Sequence, residues 1–410
     1  MFIEVSSGLK KLSKYFPENL YVVGGYVRNK LLDLPANDVD IASSVAIDEV
    51  AKRLEGTNYS VKVKNLKTGS LLISFGNENF EYTAFRTEIY GNDGSHTPTR
   101  VENTKDISKD AMRRDFSINS IYYNINKDEI VDFYHGIVDL KQKIIRCNIN
   151  PDDVFKNDGE RILRLVRFAG ELDFKIDKGT LSFAIKHANN VENLQGQRRY
   201  SELEKILYCD KKYNLNKKSL KNALNLLNIL QIWKYFGINI SKIKFDMVEK
   251  VEDRFLGLLI DIVDTTKPEC LEEFIRNFLK ENFAFSEALI KRVFVNLAGY
   301  YYALYGMNNK DYFFKFYQDW ANISSLLEKK SKRTQNKYNF FYRYIIEHGL
   351  VIQIENLEID ENDIKKKFPK IDKRSYDKIL TNLWSKVFDG KVQNSKDALL
   401  KEIEKNLQNI

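Results

Sequence analysis

The chain has 410 residues, 43% hydrophobic and 13% aromatic, which is too long for one compact domain and rich enough for several cores. Its formal charge of +8 is a modest pull toward a polyanionic partner. No apolar run is long enough to span a bilayer, Met1 to Val5 lack a signal-peptide pattern, and Cys147, Cys209 and Cys270 have no paired spacing. Membrane, disulfide-framework and zinc-centre readings are therefore set aside, and a cytoplasmic protein is expected.

Tyr21-Val22-Val23 reads as a short buried strand that runs into Gly24-Gly25. Paired glycines let the backbone come close to a bulky ligand, and a helix starting there points free N–H groups at an anion. Arg28 adds a forked cation suited to phosphate oxygens. Ten residues later, Asp38 and Asp40 face one side if Val39-Asp40-Ile41 is a strand, as a pair of hard divalent cations requires. A phosphate cradle beside a metal site points to nucleotidyl or phosphoryl transfer.

Further strands are expected at Val39 to Ala42, Ser70 to Phe75, Phe80 to Phe85 and Ile121 to Asn124, with a hairpin turn at Asn77-Glu78-Asn79. Glu81 is either a third carboxylate near the metals or half of an ordinary strand salt bridge. Asp110 to Ser120 places Arg113-Arg114-Asp115 before an apolar pattern, so some of these charges turn inward. From Pro151 onward glycine is sparse and helical periodicity dominates, as in Leu220, Ala223, Leu226, Leu227 and Leu230. The stretch Asp158 to Phe168 reads as one helix carrying Asp158, Arg161, Arg164 and Arg167 at three-residue spacing, with Ile162, Leu163 and Val166 on its core side. The basic run Lys329 to Arg333 reads as a solvated helix end or linker.

Gly24-Gly25-Tyr26-Val27-Arg28 with Asp38-Val39-Asp40 resembles the signature of polymerase-β-like nucleotidyltransferases, in the branch holding bacterial tRNA nucleotidyltransferases (CCA-adding enzymes) and poly(A) polymerases. Asn29 stands where that branch has Asp. Arg113-Arg114-Asp115 through Asn119-Ser120 is similar to its Arg-Arg-Asp-x-x-x-Asn-Ala motif. Val131 to Leu140 resembles the segment joining catalytic domain to neck, with Phe133 in place of proline and His135 as a turn residue. Asp158 and Arg161 match Glu-Asp-x-x-Arg with Asn157 for Glu, and Arg198 to Leu207 matches a supporting helix. Leu357 to Asn394 is similar to the tail that grips tRNA.

The resemblance implies an α+β fold: a mixed sheet-and-helix nucleotidyltransferase head (1–145), then an all-helical neck for base recognition (146–210), body (211–345) and tRNA-binding tail (346–410). It implies Mg²⁺ on Asp38 and Asp40, with Gly24, Gly25 and Arg28 at the triphosphate. Arg114 would contact the nucleotide, and Asp115 and Asn119 would shape its sugar pocket. Arg164 and Arg167 would neutralise the triphosphate or pack beneath the base-reading pair. Expected substrates are CTP, ATP and a tRNA, held by its acceptor and TΨC stems and extended at its 3′ end, with no obligate protein partner. Poly(A), CC-only and A-only addition share these motifs, and the loop near Thr87 to Val101 is expected to discriminate among them. An RNA-binding protein without catalysis is opposed by the intact aspartate pair.

Base choice has a physical reading. Cytosine and adenine both present an amino donor beside a ring-nitrogen acceptor, whereas uracil and guanine present the reverse. A carboxylate at Asp158 accepts from the amino group and Arg161 donates to the ring nitrogen. Each buried polar group left unpaired by a wrong base costs about 1–3 kcal/mol.

Overall fold

The computed structural model describes residues 3–66, 69–91, 94, 97–215, 217–238, 240, 242–306, 312, 315–347 and 354–407. They form two units: Met1–Phe245 with Asp264–Lys267 and Asn277–Phe285, and Asp246–Val263 with Pro268–Arg276 and Ser286–Ile410.

The first unit begins with nine strands: β1 (Tyr21–Val23), β2 (Val39–Ser43), β3 (Ser60–Asn65), β4 (Ser70–Phe75), β5 (Glu78–Ala84), β6 (Arg86–Tyr90), β7 (Pro98–Asn103), β8 (Tyr122–Asn124) and β9 (Glu129–Val131). Seven of them make one mixed sheet in the order β3-β4-β5-β2-β1-β8-β9. The parallel pairing is β2 on β5, and β1 runs antiparallel to β2 and β8. Alternation along the strands sorts side chains onto two faces. Val22, Ile41 and Tyr82 are paired neighbours on one face, where the Phe16 ring lies 5.7 Å from Tyr82. Val23, Ala42, Phe85, Ala111 and Tyr122 form the opposite cluster. Asp40 pairs with Val23, so it belongs to this second face, at the sheet end where β1 gives way to Gly24.

The structure corrects two expectations and adds a strand. The β4–β5 turn is Gly76-Asn77, because Glu78 and Asn79 already pair with Phe75 and Ser74. Gly76 has φ +58, the glycine-first arrangement favoured in two-residue hairpins. β3 carries Lys62 and Lys64 on an exposed sheet edge, where charge discourages further pairing and also hides the strand pattern. The segment Thr87 to Val101 is largely a second hairpin, β6 with β7, although Asn92, Asp93, Ser95 and His96 lie outside the described residues.

Beyond residue 146 helices dominate, as expected, apart from Lys175–Ile176, which pairs in parallel with Ile144–Ile145. Asn150 caps Pro151–Asn157 by accepting from Asp152 N, and proline at the first turn suits a position with no intrahelical N–H bond. The helix Glu160–Leu172 is buried along almost its whole length, with Ile162, Leu163 and Val166 at 0% exposure. Gly170 makes this packing possible: a Cβ there would lie 2.5 Å from Cys209 Sγ and 3.0 Å from Ala223 Cβ. A methyl group would overpack the contact at a cost of about 1–3 kcal/mol.

In the second unit the basic run falls at a helix break, since Trp320–Lys330 ends before Ser331 and Lys332–Glu347 begins after it. A separate apolar cluster joins Leu357, Ile359, Ile364, Tyr376, Leu383, Trp384 and Leu399 across the last helices. Among the described residues no helix is long and apolar enough to cross a membrane.

Candidate functional site

A cleft of about 520 Å³ in the first unit gathers every candidate residue: Gly24, Gly25, Arg28, Asp38, Asp40, Arg114, Asp115, Asn119, Asp158, Arg161, Arg164 and Arg167. Its polar lining has eight cations against five carboxylates. The glycine turn shapes one end. Gly24 has φ +77, a conformation side-chain-bearing residues rarely adopt, and a Cβ there would lie 3.7 Å from Asp40 Oδ2 and 3.8 Å from Arg114 Nη1. The helix Gly25–Leu31 starts at that point.

Asp38 and Asp40 both line the cleft with exposed edges, and protein crowds Asp40 on its other sides. Burial pushes the Asp40 carboxyl up to about 6, against the pull of Arg114 and with added repulsion from Glu81 and Asp38. Glu81 is the direct neighbour of Asp40 across β2–β5, but its carboxylate meets Lys64 Nζ at 2.5 Å on the sheet. The strand salt bridge is therefore formed, while the Glu81 charge also acts on Asp40.

Arg28 is turned inward. Nη1 donates to Asn119 Oδ1 at 2.6 Å, and Nε and Nη2 donate to Asn29 Oδ1 at 3.1 and 2.9 Å. Asn119 Nδ2 then donates to Asp115 Oδ1 at 3.2 Å, and Asp115 Oδ2 accepts from Arg164 Nη2 and Nε at 2.6 and 2.8 Å. One hydrogen-bonded chain therefore ties the glycine helix to the long helix after residue 160. Burial opposes ionisation of Asp115, yet Arg164, Arg161 and these hydrogen bonds hold its carboxyl at about 2.

Arg114 sits beside Tyr122, whose hydroxyl accepts from Nε at 2.9 Å, and reaches Asp110 through Nη2 at 3.2 Å. Asp110 also accepts from Arg113 Nε at 2.8 Å, the Tyr122 hydroxyl at 2.6 Å and the Arg86 backbone N–H at 3.2 Å. Burial works against its charge, but Arg113 and Arg114 keep the carboxyl well below the usual range. Asn148 clamps the same turn, donating through Nδ2 to the backbone oxygens of Ala111 and Arg114 at 2.9 and 3.1 Å. The neighbouring segment is structural: His135 turns in the left-handed region at φ +58, and Asp139 accepts from Ser117 Oγ at 2.6 Å.

Asp158 departs from the expected single helix. One helix ends at Asn157 and the next begins at Glu160, leaving Asp158 extended at φ −152 and ψ 103. Its Oδ1 accepts the Glu160 N–H at 2.9 Å, and Arg161 Nε donates to its Oδ2 at 3.3 Å. Arg161 Nη2 donates to the Arg113 backbone oxygen at 2.7 Å, and its guanidinium lies 5.6 Å from the Tyr90 ring centroid. Arg167 is drawn to the wall, with Nε on Glu202 at 2.8 Å and Nη1 on Glu171 at 3.2 Å. Arg198, on the expected supporting helix, meets Glu160 at 2.9 Å.

Sequence reasoning did not find Glu88, Tyr90, Lys212 or Tyr213. The hairpin brings in the first two: Glu88 accepts from Arg86 Nε at 2.7 Å, the Tyr90 hydroxyl at 2.6 Å and Arg113 Nη1 at 3.3 Å. Their β-strand alternation was a readable signal. Lys212 ends a four-residue helix and Tyr213 follows it, and neither carries a local pattern.

The poly A polymerase head domain family matches residues 20–146. The CCA-adding enzyme of Lactococcus lactis subsp. cremoris is 32% identical over 237 residues, covering 57% of this chain and 55% of that protein, so the match spans about half of the relative's length. The Bacillus stearothermophilus CCA-adding enzyme in complex with CTP superposes with a TM-score of 0.72 at 20% identity, covering 98% of each chain. The Thermotoga maritima CCA-adding enzyme complexed with tRNA_CCA gives 0.59 at 20% identity, covering 98% of this chain and 96% of that one. Residues 20–146 thus carry a poly A polymerase head domain, on a fold shared over nearly the whole chain with solved CCA-adding enzymes.

Proposed function

We propose that this protein is a template-independent CCA-adding tRNA nucleotidyltransferase of the cytoplasm, which extends a tRNA 3′ end with C, C and A from CTP and ATP and releases pyrophosphate. The observation that carries this reading is that one cleft holds an aspartate pair at a glycine turn together with a rigid Asp158–Arg161 pair. The relatives' names, with their CTP and tRNA complexes, support it. The head, neck, body and tail division at residues 145, 210 and 345 is proposed with it.

Nucleotidyltransferases of this family depend on a metal ion. The aspartate pair fits a hard divalent cation: Asp40 is crowded by protein, repelled by Asp38 and Glu81, and opens onto the cleft. Asp38 and Asp40 would hold Mg²⁺, which when bound supplies charge neutralisation at the reacting phosphate and its attacking hydroxyl. In the reaction, the tRNA 3′-hydroxyl attacks the α-phosphorus of the nucleotide, the bond to pyrophosphate breaks, and the hydroxyl proton is lost. Gly24 lets the backbone approach the phosphates, and Arg114 and Arg164 present partly exposed guanidiniums to the nucleotide. Arg28, Asn119 and Asp115 hold the sugar-side wall in place through their shared hydrogen bonds.

Asp158 and Arg161 read the base. A carboxylate oxygen accepts more than one hydrogen bond, so the Glu160 N–H and Arg161 Nε orient Asp158 without exhausting it. The tRNA is recognised by shape and backbone charge.

The test uses tRNA lacking its 3′ CCA with each labelled nucleotide alone and in combination. Ordered C, C, A addition is expected. A long A tail would identify a poly(A) polymerase, and addition that stops after C, C or requires a preformed CC end would identify a restricted enzyme.

A further inference from the structure

Three guanidiniums surround one aromatic ring at the glycine end of the cleft. Arg28, Arg164 and Arg167 have their Cζ atoms 5.2, 5.3 and 4.3 Å from the Phe168 ring centroid. The acids that balance Arg167, Glu171 and Glu202, are buried behind the wall and do not line the cleft. Arg28 is itself buried, and its described hydrogen-bond partners, Asn29, Asn119 and Tyr213, are all neutral. This wall therefore turns positive charge toward the cleft, and a buried cation with neutral partners favours an approaching anion.

Lys212 and Tyr213 enter at this point from outside every motif described above. Both line the cleft. The Tyr213 hydroxyl accepts from Asn29 Nδ2 at 2.9 Å and from Arg28 Nη2 at 3.4 Å, which fixes this segment beside the glycine helix. Lys212 Nζ donates to Glu171 Oε1 and Oε2 at 3.2 and 3.3 Å, and its side chain is 45% exposed.

The contact is easily exchanged. A half-exposed lysine ion pair contributes little to stability, and lysine is a compact charge on a flexible stem. Glu171 also accepts from Arg167 Nη1 at 3.2 Å, so it retains a cation if Lys212 leaves. Arg167 has no such freedom, because Glu202 and Glu171 hold both sides of its guanidinium.

We propose that Lys212 is a polyphosphate-binding residue, exchanging Glu171 for the phosphates of the incoming nucleotide and of the pyrophosphate product. The proposal rests on the nucleotidyl-transfer reading and adds to it the last residue of the Cys209–Lys212 helix. A binding contact kept from substrate to product lowers KM and leaves kcat nearly unchanged.

The experiment titrates inorganic pyrophosphate, with magnesium, into the full-length protein by calorimetry and measures CTP kinetics on the same preparations. Lys212→Met is expected to weaken pyrophosphate binding and raise the CTP KM by about tenfold, the size of one charge-assisted hydrogen bond, with kcat little changed. Lys212→Arg is expected to recover most of the loss. Lys211→Met removes the same charge one residue away from a side chain that does not line the cleft, and is expected to change neither value. Wild-type affinity in Lys212→Met, or an equal loss in Lys211→Met, overturns the role of Lys212 alone. A wild-type protein that binds no pyrophosphate overturns the nucleotidyl-transfer reading with it.

Discussion

Asp158 and Asp40 line the same cleft under opposite conditions. Asp158 has a 3% exposed side chain and is oriented by a backbone N–H and by Arg161, which is itself fixed on the Arg113 backbone oxygen. Among the described residues neither Asp38 nor Asp40 forms a side-chain hydrogen bond or ion pair, and both keep exposed edges. On the proposed function, the difference follows from what each end would do. A surface that selects a base by hydrogen-bond pattern works only if its donors and acceptors cannot reorient to suit the wrong base. Carboxylates that take up a cation must stay open, and like charges held together give that cation its affinity. Rigidity marks the end proposed to read the base, and unrelieved charge marks the end proposed to react.

The largest expected effect breaks the open end. Asp40→Ala, and equally Asp38→Ala, should lower turnover by several orders of magnitude while the protein stays folded by circular dichroism. Near-normal incorporation by either folded variant would remove this pair from the reaction. Next comes the wired side. Asp110→Ala strips a buried acceptor from Arg113, Arg114 and Tyr122 and should cost about 3–5 kcal/mol in denaturant unfolding, where Asp40→Ala costs little. An Asp110→Ala protein as stable as wild type would show that the network is not what holds the turn.

Acid sharpens the same contrast. Asp115 titrates at about 2 in the folded protein against 3.8 as an ordinary side chain, so its stabilising contribution is fully present above about pH 4 and is lost as pH falls toward 2. That lowering corresponds to roughly 2–3 kcal/mol. Asp115→Asn should therefore be less stable than wild type at pH 6, and the difference should close as pH falls toward 2. A gap that does not narrow between pH 4 and pH 2 would contradict the assigned carboxyl.

Much of this was readable in the chain because the signals were local. Glycine pairs, an Asp-x-Asp and an Arg-Arg-Asp state their positions within a few residues, and strands β1, β2, β4, β5 and β8 alternate or run apolar. β3 was not readable because it lies exposed on a sheet edge, with lysines where burial would have shown a pattern. Asp158 read as helical because spacing alone cannot see that Asn157 ends one helix and Glu160 begins another. Tyr213 joins Arg28 across 185 positions, and no local window contains such a contact. The Asp110 hub shares this limitation, since Asp110 lies on a helix and Arg86 and Tyr122 reach it from strands.

The most direct measurement of the account is the single-turnover preference for CTP over UTP in Asp158→Ala. This change removes the acceptor for the amino group of C and the repulsion against the carbonyl of U, while the aspartate pair is untouched. The preference should fall about tenfold, the value of one lost buried hydrogen bond, with UTP incorporation rising relative to CTP. Arg161→Ala should slow CTP and ATP alike. An unchanged CTP-over-UTP preference in Asp158→Ala would contradict the assignment of base choice to this pair.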